Sequence, residues 1–215
     1  MSGLHQSQPL VWAGRSPAEA RAAMVMVHGR GATAESILEL RQEWGYPELA
    51  YVAPQAAGFS WYPNRFLAPL AANEPWLSSA LARLGETLEE LAAAGIPPER
   101  TILLGFSQGA CLATEYAARN PRRYGGIAGL SGALIGPPEE PRELAGSLAG
   151  TPVFLGCSDR DPHIPQASVD QTAERLRGIG AEVTERIYPG LGHTVNGDEV
   201  EHVRRMIAGV VSTAL

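Results

Sequence analysis

The sequence contains no lysine, because all 17 of its Lys and Arg residues are arginine. A lysine amine is required for Schiff-base catalysis, for P-loop phosphate binding and for Ser-Lys dyads, so these chemistries are excluded. The sequence also lacks any run of basic residues, and its 23 acidic residues give it a net charge of -6. Binding of nucleic acid or of an anionic membrane surface is therefore not expected, and the expected partner is a small molecule.

Cysteine and long apolar stretches are scarce as well. The two cysteines, Cys111 and Cys157, lie in apolar surroundings that suit a reducing compartment, so the cytoplasm is the expected location. No stretch approaches the roughly 20 apolar residues of a membrane span, and residues 1–14 lack the pattern of a signal peptide. The cysteines and histidines fit no zinc motif, and neither a metal nor an organic cofactor is expected. These features are compatible with a monomer or a homodimer.

Short apolar runs alternate with longer segments of helical period along the whole chain. This alternation predicts one α/β domain over residues 1–215, with a mostly parallel sheet of about seven strands flanked by helices and a minimal cap. Strands are predicted at 24–28, 49–53, 101–106, 127–130, 152–157 and 182–188, with 10–13 as an edge hairpin strand. Helices are predicted at 33–44, 75–94, 108–118, 166–178 and 197–211.

The pentapeptide Gly-Phe-Ser-Gln-Gly at 105–109 lies directly between a predicted strand and a predicted helix. Gly-x-Ser-x-Gly in this context is typical of a nucleophilic serine on a strained turn, because the two glycines let the strand and the helix approach closely. Ser107 would then lie beside the free N–H groups of a helix N-terminus, where an oxyanion could develop. The alternative is an ordinary Gly/Ser turn in which Ser107 caps the helix.

A nucleophilic serine needs a histidine base and a carboxylate that orients the base, and in this arrangement both follow the serine in the chain. His5 lies in an N-terminal segment expected to be mobile, and His28 precedes the serine. His202 falls within a predicted helix, and His163 is only two residues beyond the better candidate acid. His193, in a glycine-rich loop before the last helix, is therefore the candidate base; the alternative is a surface histidine without a catalytic role.

Two carboxylates compete for the orienting position. Asp159 and Asp161 both follow the predicted strand 152–157, and Pro162 favours an extended backbone at Asp161. Their spacing does not separate them. Asp159, Asp161 and His163 alternate as metal ligands can, but nothing else in the sequence completes a ligand set.

Four motifs together resemble the phospholipase/carboxylesterase family of α/β-hydrolases, which also contains the acyl-protein thioesterases. They span nearly the whole chain and read His-Gly-Arg-Gly at 28–31, Gly-Phe-Ser-Gln-Gly at 105–109, Asp-Pro-His-Ile-Pro at 161–165 and Gly-Leu-Gly-His at 190–193. The resemblance implies an α/β-hydrolase fold. It also implies a carboxylesterase that acts through an acyl-enzyme, and because the chain leaves room for only a small cap, small soluble esters are the expected substrates. The alternatives are a thioesterase for acylated proteins or acyl-CoA, and a noncatalytic protein on the same scaffold.

The resemblance also implies a role for each site residue. Ser107 would be the nucleophile, His193 the general base and acid, and Asp161, ahead of Asp159, the orienting carboxylate. The backbone N–H groups of Arg30 and Gln108 would form the oxyanion hole.

The loop at 28–32 fits an oxyanion role independently, because it follows an apolar strand and its glycines let the backbone turn toward the serine. Acyl-protein thioesterases typically carry an apolar residue where Arg30 stands. If only the Arg30 N–H group is used, the guanidinium is expected in solvent or paired with Glu35. The other interpretation is that Arg30 receives an acidic group of the substrate.

The segment 59–76 holds five of the chain's 14 Phe, Trp and Tyr residues, and its prolines prevent regular structure over most of its length. Such a loop is often the wall of a pocket. We expect a substrate pocket beside Ser107 that is lined by Trp61, Tyr62, Phe66 and Leu67. The alternative is a hydrophobic cluster under a long loop.

Overall fold

The computed structural model describes residues 3–140 and 142–213. The described strands form one seven-stranded sheet in the order β1-β3-β2-β4-β5-β6-β7. All neighbours are parallel except β1, which pairs antiparallel with β3. The strands are β1 (Leu10–Gly14), β2 (Ala23–Val27), β3 (Ala50–Pro54), β4 (Thr101–Phe106), β5 (Gly126–Leu130), β6 (Pro152–Ser158) and β7 (Glu182–Tyr188). The mostly parallel sheet of about seven strands is therefore confirmed.

Two details differ from the expectations. The strand at 10–13 is an edge strand, but it forms no hairpin with β2, because β2 lies between β3 and β4 and leaves only the outer edge of β3 for β1. The helix predicted at 33–44 is a short α-helix, capped by Thr33, that continues as a 3-10 helix. The helices are α1 (Ala34–Leu38), α2 (Trp76–Ala93), α3 (Gln108–Arg119), α4 (Gln166–Gly178) and α5 (Gly197–Thr213), with 3-10 turns at Glu39–Glu43, Ala57–Phe59, Leu70–Asn73 and Pro98–Arg100.

The sheet separates two apolar clusters, one on each face. Alternate residues of β2 show this, because Ala23, Val25 and Val27 join one cluster while Met24 and Met26 join the other. All five β2 residues are fully buried, as a parallel strand covered on both faces requires. No helix in the described ranges is long and apolar enough to cross a membrane.

The N-terminal segment from residue 5 onward is packed against the molecule, which corrects the expectation that His5 lies in a mobile segment. His5 is fully buried, and its ring nitrogens bond the Trp61 carbonyl at 3.0 Å and the Ala57 N–H at 3.0 Å. Gln6 donates to the Ser79 carbonyl at 3.0 Å and so joins this segment to α2. His5 therefore supports the long loop that follows β3.

Candidate active site

Ser107 lies between the central strand β4 and helix α3 with φ 56° and ψ -122°. A positive φ is strained for a residue other than glycine, and the neighbours hold the serine in this position. A Cβ at Gly105 would lie 2.2 Å from the Gly109 carbonyl oxygen, and one at Gly109 would lie 2.1 Å from that of Val27. The Ser107 N–H donates to the Leu130 carbonyl at 2.9 Å. Both glycines are therefore sterically required, and the hydroxyl is presented at the carboxyl edge of the sheet.

Loops that follow β6 and β7 bring an acid and a base to the same edge. The Ser107 hydroxyl lies 2.9 Å from His193 Nε2, and His193 Nδ1 lies 2.6 Å from Asp161 Oδ2. An ionised carboxylate only accepts hydrogen bonds, so Nδ1 carries the proton and Nε2 is left to accept from the serine. The Asp161 side chain is fully buried, and that of His193 is 18% exposed. The three side chains thus form one hydrogen-bonded series with a base directed at the serine.

The Asp161 carboxylate is held ionised by the donors around it. Its Oδ1 accepts the backbone N–H groups of His163 at 2.8 Å and Ile164 at 3.0 Å. Burial by itself would raise the pKa of Asp161, but the hydrogen bonds from His193 and from these two amides outweigh burial and lower the pKa. Asp161 therefore stays negative and can stabilise an imidazolium at His193.

Asp159, the competing acid, contacts the loop of the base and not its ring. Asp159 Oδ1 accepts the Gly190 N–H at 2.7 Å, and Ser158 Oγ accepts the Gly192 N–H at 3.1 Å. Both glycines have positive φ, of 68° and 81°, which glycine adopts at little cost. The aspartates thus have separate contacts, because Asp161 bonds the imidazole while Asp159 fastens the loop that carries it.

Two backbone N–H groups are available near Ser107. The Gln108 amide belongs to the first turn of α3, where a helix provides no acceptor of its own. The loop after β2 approaches the serine closely, since a Cβ at Gly29 would lie 3.4 Å from Ser107 Cβ. Arg30 is the next residue of this loop and lines the same cavity as Ser107 and Gln108. The fold thus brings the two predicted oxyanion residues to the cavity that Ser107 lines.

The Arg30 side chain has a contact that neither interpretation of the sequence anticipated. It is not paired with Glu35 and does not extend into solvent without contacts. Its Nη1 donates to Ser60 Oγ at 2.9 Å and to the Pro63 carbonyl at 3.1 Å, and its Nη2 donates to the carbonyls of Tyr62 at 2.9 Å and Asn64 at 2.6 Å. A guanidinium has five N–H donors, so one remains for a substrate acid. Arg30 acts as a clamp on the loop at 60–64.

Gln108 also holds this loop. Its side-chain oxygen accepts the Trp61 N–H at 3.0 Å, and its Nε2 donates to the Tyr62 carbonyl at 2.8 Å. The Tyr62 carbonyl therefore receives hydrogen bonds from both Arg30 and Gln108, and a third from the Ser60 hydroxyl at 3.0 Å. The position of this loop is therefore coupled to Arg30 and Gln108, the two predicted oxyanion residues.

A cavity of about 500 Å³ opens beside Ser107 and His193. Tyr62 and Phe66 line it, as expected from the sequence. Trp61 and Leu67 do not, and the prediction that they contribute to the pocket wall is wrong. Leu67 packs against the hydrophobic core, and Trp61 is fully buried beneath the loop.

The buried Trp61 ring contacts two histidines. Its ring centroid lies 5.4 Å from that of His5 and 5.0 Å from that of His28, and its indole N–H donates to the His28 carbonyl at 2.8 Å. His28 Nε2 accepts the Ala56 N–H at 3.1 Å. Trp61 is therefore a structural support of the aromatic loop.

The structure adds residues that the sequence did not single out as pocket residues. Phe106 and His163 pack on the His193 ring at centroid distances of 5.0 and 4.8 Å. Phe106 stands inside the Gly-x-Ser-x-Gly motif, and its place next to Ser107 is the feature of the sequence that could have identified it as a pocket residue. Cys111 also lines the cavity, and burial raises the pKa of its thiol to about 12, so it remains protonated and does not compete with Ser107 as a nucleophile.

Comparisons with known proteins agree with this architecture. The structure of a phospholipase/carboxylesterase from Dyadobacter fermentans is 43% identical and superposes with a TM-score of 0.89 over 94% of this chain and 97% of that one. Acyl-protein thioesterase 1 of Gibberella zeae is 26% identical over 93% of this chain and 94% of its own length. A putative carboxymethylenebutenolidase of Salmonella typhi is 31% identical over 71% of this chain and 57% of its own length.

The solved structures confirm the α/β-hydrolase fold, and the relatives are hydrolases by name. The family model for phospholipases and carboxylesterases matches residues 8–211, which include β1 to β7 and every candidate site residue. This chain belongs to the phospholipase/carboxylesterase family.

Proposed function

We propose that this protein is a carboxylesterase that cleaves small soluble esters through an acyl-enzyme intermediate. The observation that carries the proposal is the hydrogen-bonded series from Ser107 through His193 to Asp161. Such a series activates a serine hydroxyl, which is otherwise a weak nucleophile. The buried thiols of Cys111 and Cys157 support the cytoplasm as its compartment.

The reaction would proceed in two steps. Ser107 Oγ attacks the acyl carbon while His193 Nε2 takes its proton, and the backbone amides of Arg30 and Gln108 stabilise the oxyanion. His193 then gives the proton to the departing alkoxide, which leaves as the alcohol. Water then attacks the acyl-enzyme while His193 takes its proton. His193 returns this proton to Ser107, and the carboxylic acid is released. Each step uses groups of this chain and water.

A thioesterase is the second candidate, because acyl-protein thioesterase 1 is a relative over almost the full length. The proposed triad would serve either leaving group. The carboxymethylenebutenolidase relative favours the first candidate, since a butenolide is a cyclic carboxylic ester. A cavity of about 500 Å³ is of the size that encloses a small-molecule substrate.

The test combines covalent labelling with a paired substrate comparison. A fluorophosphonate should label the wild-type protein and a Ser212→Ala control, but not Ser107→Ala. Oxygen and sulfur esters of the same short acyl group then compare leaving groups, and we expect comparable or higher kcat/KM for the oxygen ester. Absence of label on Ser107 would indicate a noncatalytic protein. A strong preference for the thioester would establish the second candidate.

A further inference from the structure

The ionisable side chains that line the cavity have the opposite charge balance from the chain as a whole. The sequence carries a net charge of -6. Among the described residues, the ionisable groups of the lining are Arg30, Arg65, His163, His193 and the neutral Tyr62 and Cys111, with neither Asp nor Glu. The acid of the site, Asp161, is fully buried behind His193. An ester that enters the cavity therefore meets positive charge.

The two arginines differ in how their donors are used. Four N–H groups of Arg30 are occupied by the loop at 60–64. In residues 3–140 and 142–213, no hydrogen bond or ion pair engages the Arg65 guanidinium, which is exposed and lines the cavity. Arg65 therefore keeps all five donors for a ligand, while Arg30 adds mainly its charge.

The backbone that carries Arg65 is fixed. The fully buried Asn73 accepts the Asn64 N–H at 2.9 Å and donates to the Arg65 carbonyl at 3.4 Å. The next residue, Phe66, is buried, and its carbonyl accepts the Gly136 N–H at 2.7 Å. Arg65 thus projects from an ordered segment that also supplies the Tyr62 and Phe66 walls, and less ordering is required when a ligand binds.

We infer that this cavity contains an anionic subsite, in which Arg65 receives a carboxylate at the far end of the acyl chain. The inference rests on the proposed ester hydrolysis and specifies its substrate class as half-esters of dicarboxylic acids. A carboxylate suits this position because the planar guanidinium can bond both of its oxygens. The positive potential of Arg30 and Arg65 would also attract such substrates toward Ser107.

The experiment uses substrates that differ only in charge. Monomethyl esters of succinic, glutaric and adipic acid are compared at neutral pH with the corresponding methyl ester amides, in which a carboxamide replaces the carboxylate. For at least one chain length, the wild-type protein should prefer the carboxylate by about tenfold in kcat/KM, the effect of one charge-assisted hydrogen bond. Raising the salt concentration should reduce this ratio, because the site is exposed.

Two variants test whether Arg65 is the cause. Arg65→Gln should lower the ratio of kcat/KM values, carboxylate over amide, by about tenfold. The control Arg15→Gln removes the same charge at the opposite end of the sheet, next to the Gly14–Ala50 pair, and should leave the ratio unchanged. Arg65→Glu should shift preference toward methyl 6-aminohexanoate, whose ammonium group is positive, and a gain of this kind cannot come from misfolding.

The outcomes separate this inference from the proposed function. If esters of both kinds are cleaved without discrimination, or if the Arg65 and Arg15 variants behave alike, the anionic subsite is refuted and ester hydrolysis stands. If no ester is cleaved and fluorophosphonate does not label Ser107, the proposed function fails, and the subsite fails with it.

Discussion

Replacing Arg30 by alanine tests whether this residue acts as a clamp or as a substrate receptor. The side chain makes four hydrogen bonds to the loop at 60–64, all by a charged group at an exposed position. At about 0.5 kcal/mol each, the low end for protein hydrogen bonds, they contribute about 2 kcal/mol to ordering that loop. We expect Arg30→Ala to lower kcat/KM by up to about thirtyfold, which is the same free energy expressed as a rate.

The assay measures kcat/KM with a half-ester and with its matched amide, alongside the free energy of unfolding in urea. A clamp predicts losses that agree within about threefold for the two substrates, since both need the same ordered loop. Arg30→Lys is the matched control, because it keeps the charge but lacks the planar fork that spans four acceptors. We therefore expect it to behave like Arg30→Ala. Full activity in the lysine variant, or a loss confined to the half-ester, would refute the clamp.

Two further predictions concern the proposed triad and the support of the loop. Asp161→Asn should lower kcat by about 10³- to 10⁴-fold with little change in stability, because an amide no longer selects the Nδ1–H tautomer of His193; a loss below tenfold in steady-state assays would contradict the proposed role. Burial lowers the pKa of His5, so unfolding takes up a proton below pH 6.5, and the stability that His5 contributes is lost as pH falls from 6.5 toward its folded pKa. The difference in unfolding free energy between wild type and His5→Gln should therefore shrink by up to about 1.4 kcal/mol per pH unit in that range; an unchanged difference would show that the ring already carries its proton in the fold. Glu199, whose pKa burial raises to about 7, has the opposite effect and stabilises the fold as pH falls. Its contribution is the same in both proteins and cancels in the difference between their unfolding free energies.

The elements of this fold were predictable from sequence where local pattern determines them. β2 is apolar at every position and β4 leads directly into Gly-x-Ser-x-Gly, so their burial and the placement of Ser107 follow from residues close together in the chain. The pairing of β1 with β3 could not be predicted in this way, because the strand that lies next to β1 depends on the order of all the strands in the sheet.

The candidate site likewise has residues that the local sequence identifies and contacts that only the folded chain shows. His193 could be selected by elimination, and Asp161 by resemblance, because each occupies a recognisable loop. The separate contact of Asp159 required coordinates, since it is an aspartate-to-amide bond across 31 positions of sequence. Trp61 was misplaced for a similar reason: aromatic composition indicates a packed loop, but only the positions of His5 and His28 show which ring faces inward.

The shared carbonyl of Tyr62 links substrate choice to turnover. Arg30 and Gln108, whose backbone amides are the proposed oxyanion donors, hold this oxygen with their side chains. A change of pocket shape at 60–64 would therefore also disturb the groups proposed to stabilise the oxyanion. Adjusting chain-length preference without slowing the reaction should be easier at Ile164, which lines the cavity and takes no part in those hydrogen bonds to Tyr62.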